Sequence, residues 1–239
     1  TCDVSVLIVT YNSRAFVDDC IDAVAETVRR HSYEVIVVDN ASNDDTASYL
    51  RGTRPELTVV DMGRNAGFSA ANNRAMEIAG GRHLLLLNGD AVVEENAIDE
   101  LITFLDSTSH AGAVAPKLLN PDGTDQATAR TFPTPGAAIW GRRSPLTRLF
   151  PNNAYARRYL AGRDRSGCEP FEIDWVSGAC LMVPRAVVER VGGLDDRFFM
   201  YWEDADWCHR IKDAGYHVWC VPSARAVHAE GGSRRGWPA

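Results

Sequence analysis

Four short apolar runs, Val4 to Thr10, Glu34 to Asp39, Leu57 to Asp61 and His83 to Asn88, alternate with segments of helical period. That alternation restricts the chain more than any other feature. Strands separated by helices of this length pair in parallel, because each crossover carries the chain back to the same end of the sheet. Ser13 is placed to cap a helix from Arg14 to about Arg30, with Phe16, Val17, Cys20, Ile21, Val24 and Val28 on one face. A short helix is expected near Asp44 to Leu50, and Ser69 can cap another that stops at Gly80-Gly81. Asn96 to Ser107 turns Ile98, Leu101, Ile102 and Leu105 inward. The expected class is α/β, with a mostly parallel central sheet flanked by helices.

After Gly112 the pattern changes. Ala113 to Leu119 reads as a strand, followed by the turn sequence Asn120-Pro121-Asp122-Gly123. Phe132 to Pro170 is irregular. A strand is expected from Asp174 to Val183, and Pro184 opens a short helix that ends at Gly192-Gly193. Asp204 is placed to cap a helix from Ala205 to Ala214, on which Asp206 and Arg210 form an i,i+4 pair. His217 to Val221 is the last expected strand. The 239 residues are expected to form a single domain, 1–239.

Hydrophobic residues make up 45% of the chain and charged ones 24%, which excludes a disordered polymer. No apolar run approaches the ~18 residues of a membrane span. The net charge of −7 argues against a general nucleic-acid binder. Charge is uneven, however. Between Trp140 and Arg165 seven arginines face one acid, Asp164, a window of +6. With its interleaved aromatic residues the window reads as a solvated loop or as a surface for anionic lipid headgroups. The six cysteines contain no CxxC pair, so buried free thiols in a reducing compartment are expected rather than zinc or disulfides. No secretory signal opens the chain at Thr1, and a cytoplasmic location is expected.

Ligands of open parallel sheets bind beyond the carboxyl ends of the strands. Those ends carry Thr10-Tyr11-Asn12, Asp39-Asn40, Asn65-Ala66-Gly67-Phe68 and Asn88-Gly89-Asp90. The first strand is not followed by GxGxxG, and GxxxxGK[ST] occurs nowhere, which sets aside a dinucleotide dehydrogenase and a P-loop NTPase. A carboxylate at Asp39 can accept from a base or ribose, or simply cap the next helix. Asp90 can hold a divalent cation through oxygen, or complete a tight turn.

The ordered set Val-Thr-Tyr-Asn, Val-Val-Asp-Asn-Ala-Ser, Asn-Ala-Gly-Phe-Ser-Ala-Ala-Asn-Asn, Leu-Leu-Asn-Gly-Asp, Trp-Val-Ser-Gly-Ala-Cys and Tyr-Trp-Glu-Asp-Ala-Asp resembles family 2 glycosyltransferases of the GT-A fold. The nearest subgroup it resembles is the bacterial rhamnosyltransferase-like one, and the resemblance spans roughly Val4 to Ser233. It implies inverting transfer from a nucleotide-diphosphate sugar, dTDP-rhamnose or a UDP-sugar, to a cell-envelope glycan or lipid-linked acceptor. Residues 1–112 would bind the donor and 113–239 the acceptor. Thr10, Tyr11, Asn12 and Asp39 would line the base and ribose pocket, and Asn65, Gly67 and Phe68 would shape the nucleotide loop, with Asn73 or Arg74 nearby. Asp90 would be the carboxylate for Mg²⁺ or Mn²⁺. Asn88 stands where the family's first acid falls, a departure that makes a second ligand from His228 chemically useful. Trp175 and Gly178 would floor the sugar pocket.

Glycosyl transfer also needs a proton acceptor. The aromatic run Phe198 to Trp202 leads into Glu203-Asp204-Ala205-Asp206. Such a wall can stack a sugar, exclude water and raise a carboxylate's pKa. Asp204 is the expected base and Glu203 a substrate-positioning group; the plainer reading of Asp204 is a helix cap. The enzyme reading requires Asp90 and Asp204 to face one cavity. A nucleotide-sugar-binding protein without turnover, or a glycan- or membrane-docking module, are the alternatives. Peripheral contact with the inner face of the plasma membrane is the expectation attached to the arginine window.

Overall fold

The computed structural model of the chain describes residues 2–126, 128–132 and 167–229. The arginine-rich stretch lies outside them. In chain order the elements are β1 (Val4–Thr10), α1 (Val17–Thr27), β2 (Tyr33–Asp39), α2 (Thr46–Thr53), β3 (Thr58–Asp61), α3 (Phe68–Ile78), β4 (His83–Asn88), β5 (Ala91–Val93) and α4 (Ala97–Ser107). They continue with β6 (Ala111–Leu119), β7 (Ala129–Arg130), β8 (Phe171–Ile173), β9 (Trp175–Val176), β10 (Cys180–Pro184), α5 (Arg185–Val191), α6 (Glu203–Asp213) and β11 (His217–His228).

Strand β1 is buried on both faces, the condition under which a strand reads as a continuous apolar run. Val4, Val6 and Ile8 pack with Cys20, Ile21 and Val24 of α1 and Leu101 of α4. Leu7 turns the other way, towards Ala71 and Ala75 of α3 and Trp207 and Ile211 of α6. The sheet order is β3-β2-β1-β4-β10-β6-β11-β5, with β8 also on β11. Strands β3, β2, β1 and β4 are parallel, as are β6 and β11. Strands β10, β5 and β8 run antiparallel to their neighbours. The architecture is the expected one, a mixed α/β fold with helices on a largely parallel sheet.

Several boundaries differ from the sequence reading, each for a local reason. Helix α1 begins at Val17 rather than Arg14, and its N-cap position is Phe16 rather than Ser13: residues 14–16 form a turn in which the Phe16 and Val17 N–H groups both donate to the Ser13 carbonyl at 2.9 Å. Ser69 lies inside α3, whose N-cap position is Gly67. Asp204 does not cap α6. The helix already begins at Glu203, after Trp202. The strand expected over 174–183 is split: β9 pairs antiparallel with β7 in a separate two-stranded sheet, and Ser177-Gly178-Ala179 carries the chain from there to β10 in the main sheet. Strand β5 was not legible, being only three residues long. Strand β11 runs past Val221 to His228, with a register shift between Val221 and Arg225 that absorbs Pro222. All six cysteines are free, but only Cys20, Cys180, Cys208 and Cys220 are buried; Cys168 is exposed and Cys2 half-buried. Among the described residues no helix is long and apolar enough to cross a membrane.

Gly67 ties the two halves of the sheet's carboxyl edge together. Its φ of +89° with ψ of 172° is backbone that only glycine adopts readily. A Cβ there would stand 2.6 Å from the Phe199 carbonyl oxygen, which accepts the Phe68 N–H at 2.8 Å. Gly67→Ala is expected to cost about 2 kcal/mol of stability through strain and the lost Phe68–Phe199 bond. Urea unfolding measures it, and an unchanged midpoint would show that this contact yields freely.

Candidate active site

The change of strand direction at β4–β10 assembles a site. Parallel register sets Thr10 beside Asp39 and Val9 beside Asn88, so three strand ends share one edge. Because β10 is antiparallel, its beginning abuts the end of β4, and the Asn88 N–H donates to the Ala179 carbonyl at 2.9 Å. The preceding Gly178 N–H donates to Asp204 Oδ2 at 3.1 Å, which draws the start of α6 to the same edge. On the other side His228 pairs with Ala91, and the Ala229 N–H donates to the Asp90 carbonyl at 3.1 Å. Asp90, Gly178, Asp204 and His228 thus meet around a cavity of about 450 Å³.

Of the residues singled out in the sequence, Tyr11, Phe68, Asn88, Asp90, Trp175, Gly178, Glu203, Asp204 and His228 line this cavity. Thr10, Asn12, Asp39, Asn65 and Gly67 do not. Asp39 is 2% exposed and accepts from the Thr10 hydroxyl at 3.1 Å, the Ser42 hydroxyl at 2.6 Å and the Ser42 N–H at 2.9 Å. Asn65 Oδ1 accepts from Asn40 Nδ2 at 2.9 Å. Asn12 Oδ1 accepts from the Asn43 N–H, and its own N–H donates to Ser42 Oγ. These five brace the loops behind the cavity. Asn73 holds the Leu194 backbone, and Arg74 pairs with Glu77.

The two carboxylates at the start of α6 sit in unlike surroundings. Asp204 Oδ1 accepts from the Ala205 N–H at 2.8 Å and Oδ2 from Gly178, so both oxygens are oriented while each keeps a lone pair. Burial raises its pKa above the ordinary aspartate value, opposed by those two N–H bonds and by the charge of Arg130. Glu203 is 6% exposed, and its Oε2 has no hydrogen-bond partner among the described residues. Burial, with the charge of Asp204 added, pushes its pKa up to about 7.

Across the cavity is a second polar corner. Asp90 and His228 are each 8% exposed, with Asp90 Oδ1 3.3 Å from His228 Nε2. Adjacent ligands of one octahedral ion lie roughly 3 Å apart, so an oxygen and an imidazole nitrogen at this spacing suit Mg²⁺ or Mn²⁺. Asn88 Nδ2 lies 3.2 Å from the same nitrogen, a donor to it when Nε2 carries no proton. No cluster of three or more His, Cys, Asp or Glu side chains that could hold a metal occurs among the described residues, so a cation here would take much of its shell from substrate and water.

The cavity lip is aromatic. Trp175 and Trp202 rings lie 6.3 Å apart, and the Arg130 guanidinium stands 4.9 Å over Trp175. Tyr201 and Trp202, about half exposed, take φ of +69° and +74°, a left-handed pair of bulky residues. Such backbone costs energy and is concentrated at functional sites.

Residues 5–192 match the family model described as glycosyl transferase family 2. The chain belongs to that family. It is 32% identical over 207 residues to the N-acetylglucosaminyl-diphospho-decaprenol L-rhamnosyltransferase of Mycobacterium tuberculosis (strain CDC 1551 / Oshkosh), an alignment covering 81% of this chain and 66% of that protein. The chain thus spans just under two thirds of that relative's length. The dTDP-rhamnosyl transferase RfbF of Shigella flexneri is 22% identical, over 94% of this chain and 68% of its own. Among solved structures, the mannosyltransferase PcManGT from Pyrobaculum calidifontis, in complex with GDP-Man and Mn²⁺, superposes with a TM-score of 0.66 at 23% identity, covering 95% of this chain and 57% of that one. GalNAc-T7 with UDP, GalNAc and Mn²⁺ gives 0.69 at 18% identity, over 95% and 44%. The fold is GT-A.

In this family 2 chain two polar cavity residues, Gln126 and Arg130, escaped the sequence reading. Asn40 follows a strand end and carried a weak signal. Arg130 lies in the two-residue strand β7 and Gln126 in the short link before it, segments too short for any period to mark a face.

Proposed function

We propose that the chain is an inverting, metal-dependent glycosyltransferase that moves a sugar, rhamnose by preference, from a nucleotide-diphosphate donor to a cell-envelope glycan or lipid-linked acceptor. The observation that carries this is the placing of Asp90 and Asp204 on one cavity lined with aromatic rings. The name of the mycobacterial relative supports rhamnose as the sugar, and that of the Shigella relative supports dTDP-rhamnose as the donor.

Asp90 and His228 would hold Mg²⁺ or Mn²⁺. When bound, the cation supplies positive charge against the departing diphosphate. Asp204 takes the proton of the acceptor hydroxyl. The hydroxyl oxygen forms its bond to the anomeric carbon as the bond to the diphosphate oxygen breaks, and that electron pair leaves with the diphosphate. Tyr11, Phe68 and Asn88 face the nucleotide, with Thr10, Asn12, Asp39, Asn65 and Gly67 fixing the loops behind it. Gly178 admits the sugar: a side chain there would meet Phe68 at 3.4 Å and Asp204 at 3.5 Å. Trp175 and Trp202 offer ring faces to sugar on the acceptor side, and Glu203 positions it. Residues 1–112 thereby supply the nucleotide-facing groups, and 113–239 the acceptor side together with the catalytic Asp204 and the cation-holding His228.

A transfer assay with dTDP-rhamnose, UDP-sugars and GDP-mannose, with and without Mn²⁺, tests the reading. Turnover with none of them, alongside intact nucleotide binding, would leave a binding protein instead. Asp90→Ala is expected to weaken Mn²⁺-dependent nucleotide binding at least about tenfold, roughly 1.4 kcal/mol. Calorimetric titration measures this; equal affinity with and without Mn²⁺ in both proteins removes the cation from the proposal.

A further inference from the structure

Gln126 lines the cavity without any role in the chemistry above, and its hydrogen bonds have a direction. Asp122, fully exposed in the turn after β6, is where that direction originates. Its Oδ1 accepts from the Thr124 hydroxyl at 2.6 Å and the Thr124 N–H at 2.9 Å, bonds that hold its carboxyl below the ordinary range and keep it an acceptor. The single Thr124 hydroxyl proton is thereby used, so Thr124 Oγ1 accepts from Asn120 Nδ2 at 2.8 Å. Asn120 Oδ1 therefore faces the other way and accepts from Gln126 Nε2 at 2.9 Å. A second, independent acceptor gives the same polarity: Gln126 Nε2 also donates to the His228 carbonyl at 2.9 Å. With its amide nitrogen committed twice, Gln126 presents Oε1 to His228 Nδ1 at 2.7 Å.

We infer that Gln126 is a positioning residue, one that keeps the imidazole proton of His228 on Nδ1 and so leaves Nε2, between Asp90 and Asn88, with the lone pair that a cation would take in place of the Asn88 amide. The inference rests on the cation reading of the Asp90–His228 corner. The Asp122–Thr124–Asn120–Gln126 chain fixes an acceptor, Gln126 Oε1, at Nδ1 and so favours a proton there. The opposite tautomer would gain a bond from Nε2 to Asp90 at 3.3 Å, but it would set two acceptors, Oε1 and Nδ1, face to face at 2.7 Å and turn the Nε2 proton against the Asn88 amide nitrogen at 3.2 Å. Partners that orient a ligating histidine are worth 10- to 100-fold in metal affinity. The Gln126 N–H is itself tied to the Leu118 carbonyl at 3.0 Å, so the amide is held from the backbone outward.

Long-range ¹H–¹⁵N correlation spectra of the metal-free protein at pH 8 read the tautomer, with the His228 signal assigned by its loss in His228→Gln. Wild type is expected to show a bare Nε2. Gln126→Leu is expected to give a mixed or inverted ring and to lose 10- to 100-fold in affinity for Mn²⁺ alone, followed by EPR titration. Gln126→Glu loses the amide donor to Asn120 and to the His228 carbonyl but still offers an acceptor at Nδ1, and is expected to restore the Nδ1 proton. A proton on Nε2 in wild type overturns the inference. So does Gln126→Leu with wild-type Mn²⁺ affinity, whatever its tautomer. Failure of the cation reading looks different: wild type then binds no Mn²⁺ while its ring still carries the proton on Nδ1.

Discussion

Asp204→Asn is expected to lower turnover by ~10² to 10⁴, the usual worth of a positioned general base, while nucleotide affinity stays within a few-fold of wild type. Size and shape are conserved by the change. The Asn side-chain oxygen can accept from Gly178 or from Ala205, but not from both as the carboxylate does. One N–H then goes short of a partner, a cost of about 1–3 kcal/mol that is partly offset by removing a buried charge. The variant should therefore fold, and calorimetric titration with dTDP or UDP provides the check. The pH profile separates a base from a structural carboxylate. Burial raises the Asp204 pKa, so wild-type kcat/KM should climb with pH through the range in which that acid ionises. In the variant that climb should flatten. Turnover within a few-fold of wild type, with an unchanged profile, would move the base elsewhere in the cavity.

How much of this was legible beforehand follows from the range of each interaction. Strands β1, β2 and β4 could be read because burial on both faces writes itself as a continuous apolar run. Asp90, Asp204 and Trp175 could be found because motif order marked them. Strand β5 could not, since three residues carry no period and are held only by pairing with β11. The cap assigned to Asp204 rested on local spacing, and the Gly178 N–H, 26 residues away, outcompeted it. Asp39 had the residue type for a ribose contact; Ser42, three residues on, orients its carboxylate and leaves Oδ2 with a single protein donor among the described residues. Gln126 and Arg130 gave no signal at all. Their part is set by tertiary contacts with His228 and Trp175, which no local pattern encodes.

Glu203→Gln is expected to stabilise the protein at pH 8 and to leave it nearly unchanged at pH 4.5. The Glu203 pKa is raised from 4.5 to about 7, chiefly by burial, so between those values the folded state holds a proton that the unfolded state has lost. Stability must then fall as pH rises through that window, and the full penalty is present above it. At 1.36 kcal/mol per unit the penalty is about 3 kcal/mol, little reduced by solvent because the side chain is only 6% exposed. Gln is neutral at every pH and should remove most of it. For a chain of this size that is a gain of roughly 6–12 °C in Tm at pH 8. The lone Oε2, with no partner among the described residues, is the structural counterpart of this cost. A carboxylate kept in so unfavourable a place fits a group that substrate rather than protein is meant to satisfy. A donor or acceptor hydroxyl bonding to Glu203 would repay the desolvation, and bound substrate should then narrow the Tm gap between wild type and Glu203→Gln at pH 8. Thermal unfolding across pH 4.5–8, with and without nucleotide sugar, reads both effects; an equal offset between the two proteins at every pH would mean that Glu203 is not carrying the buried charge.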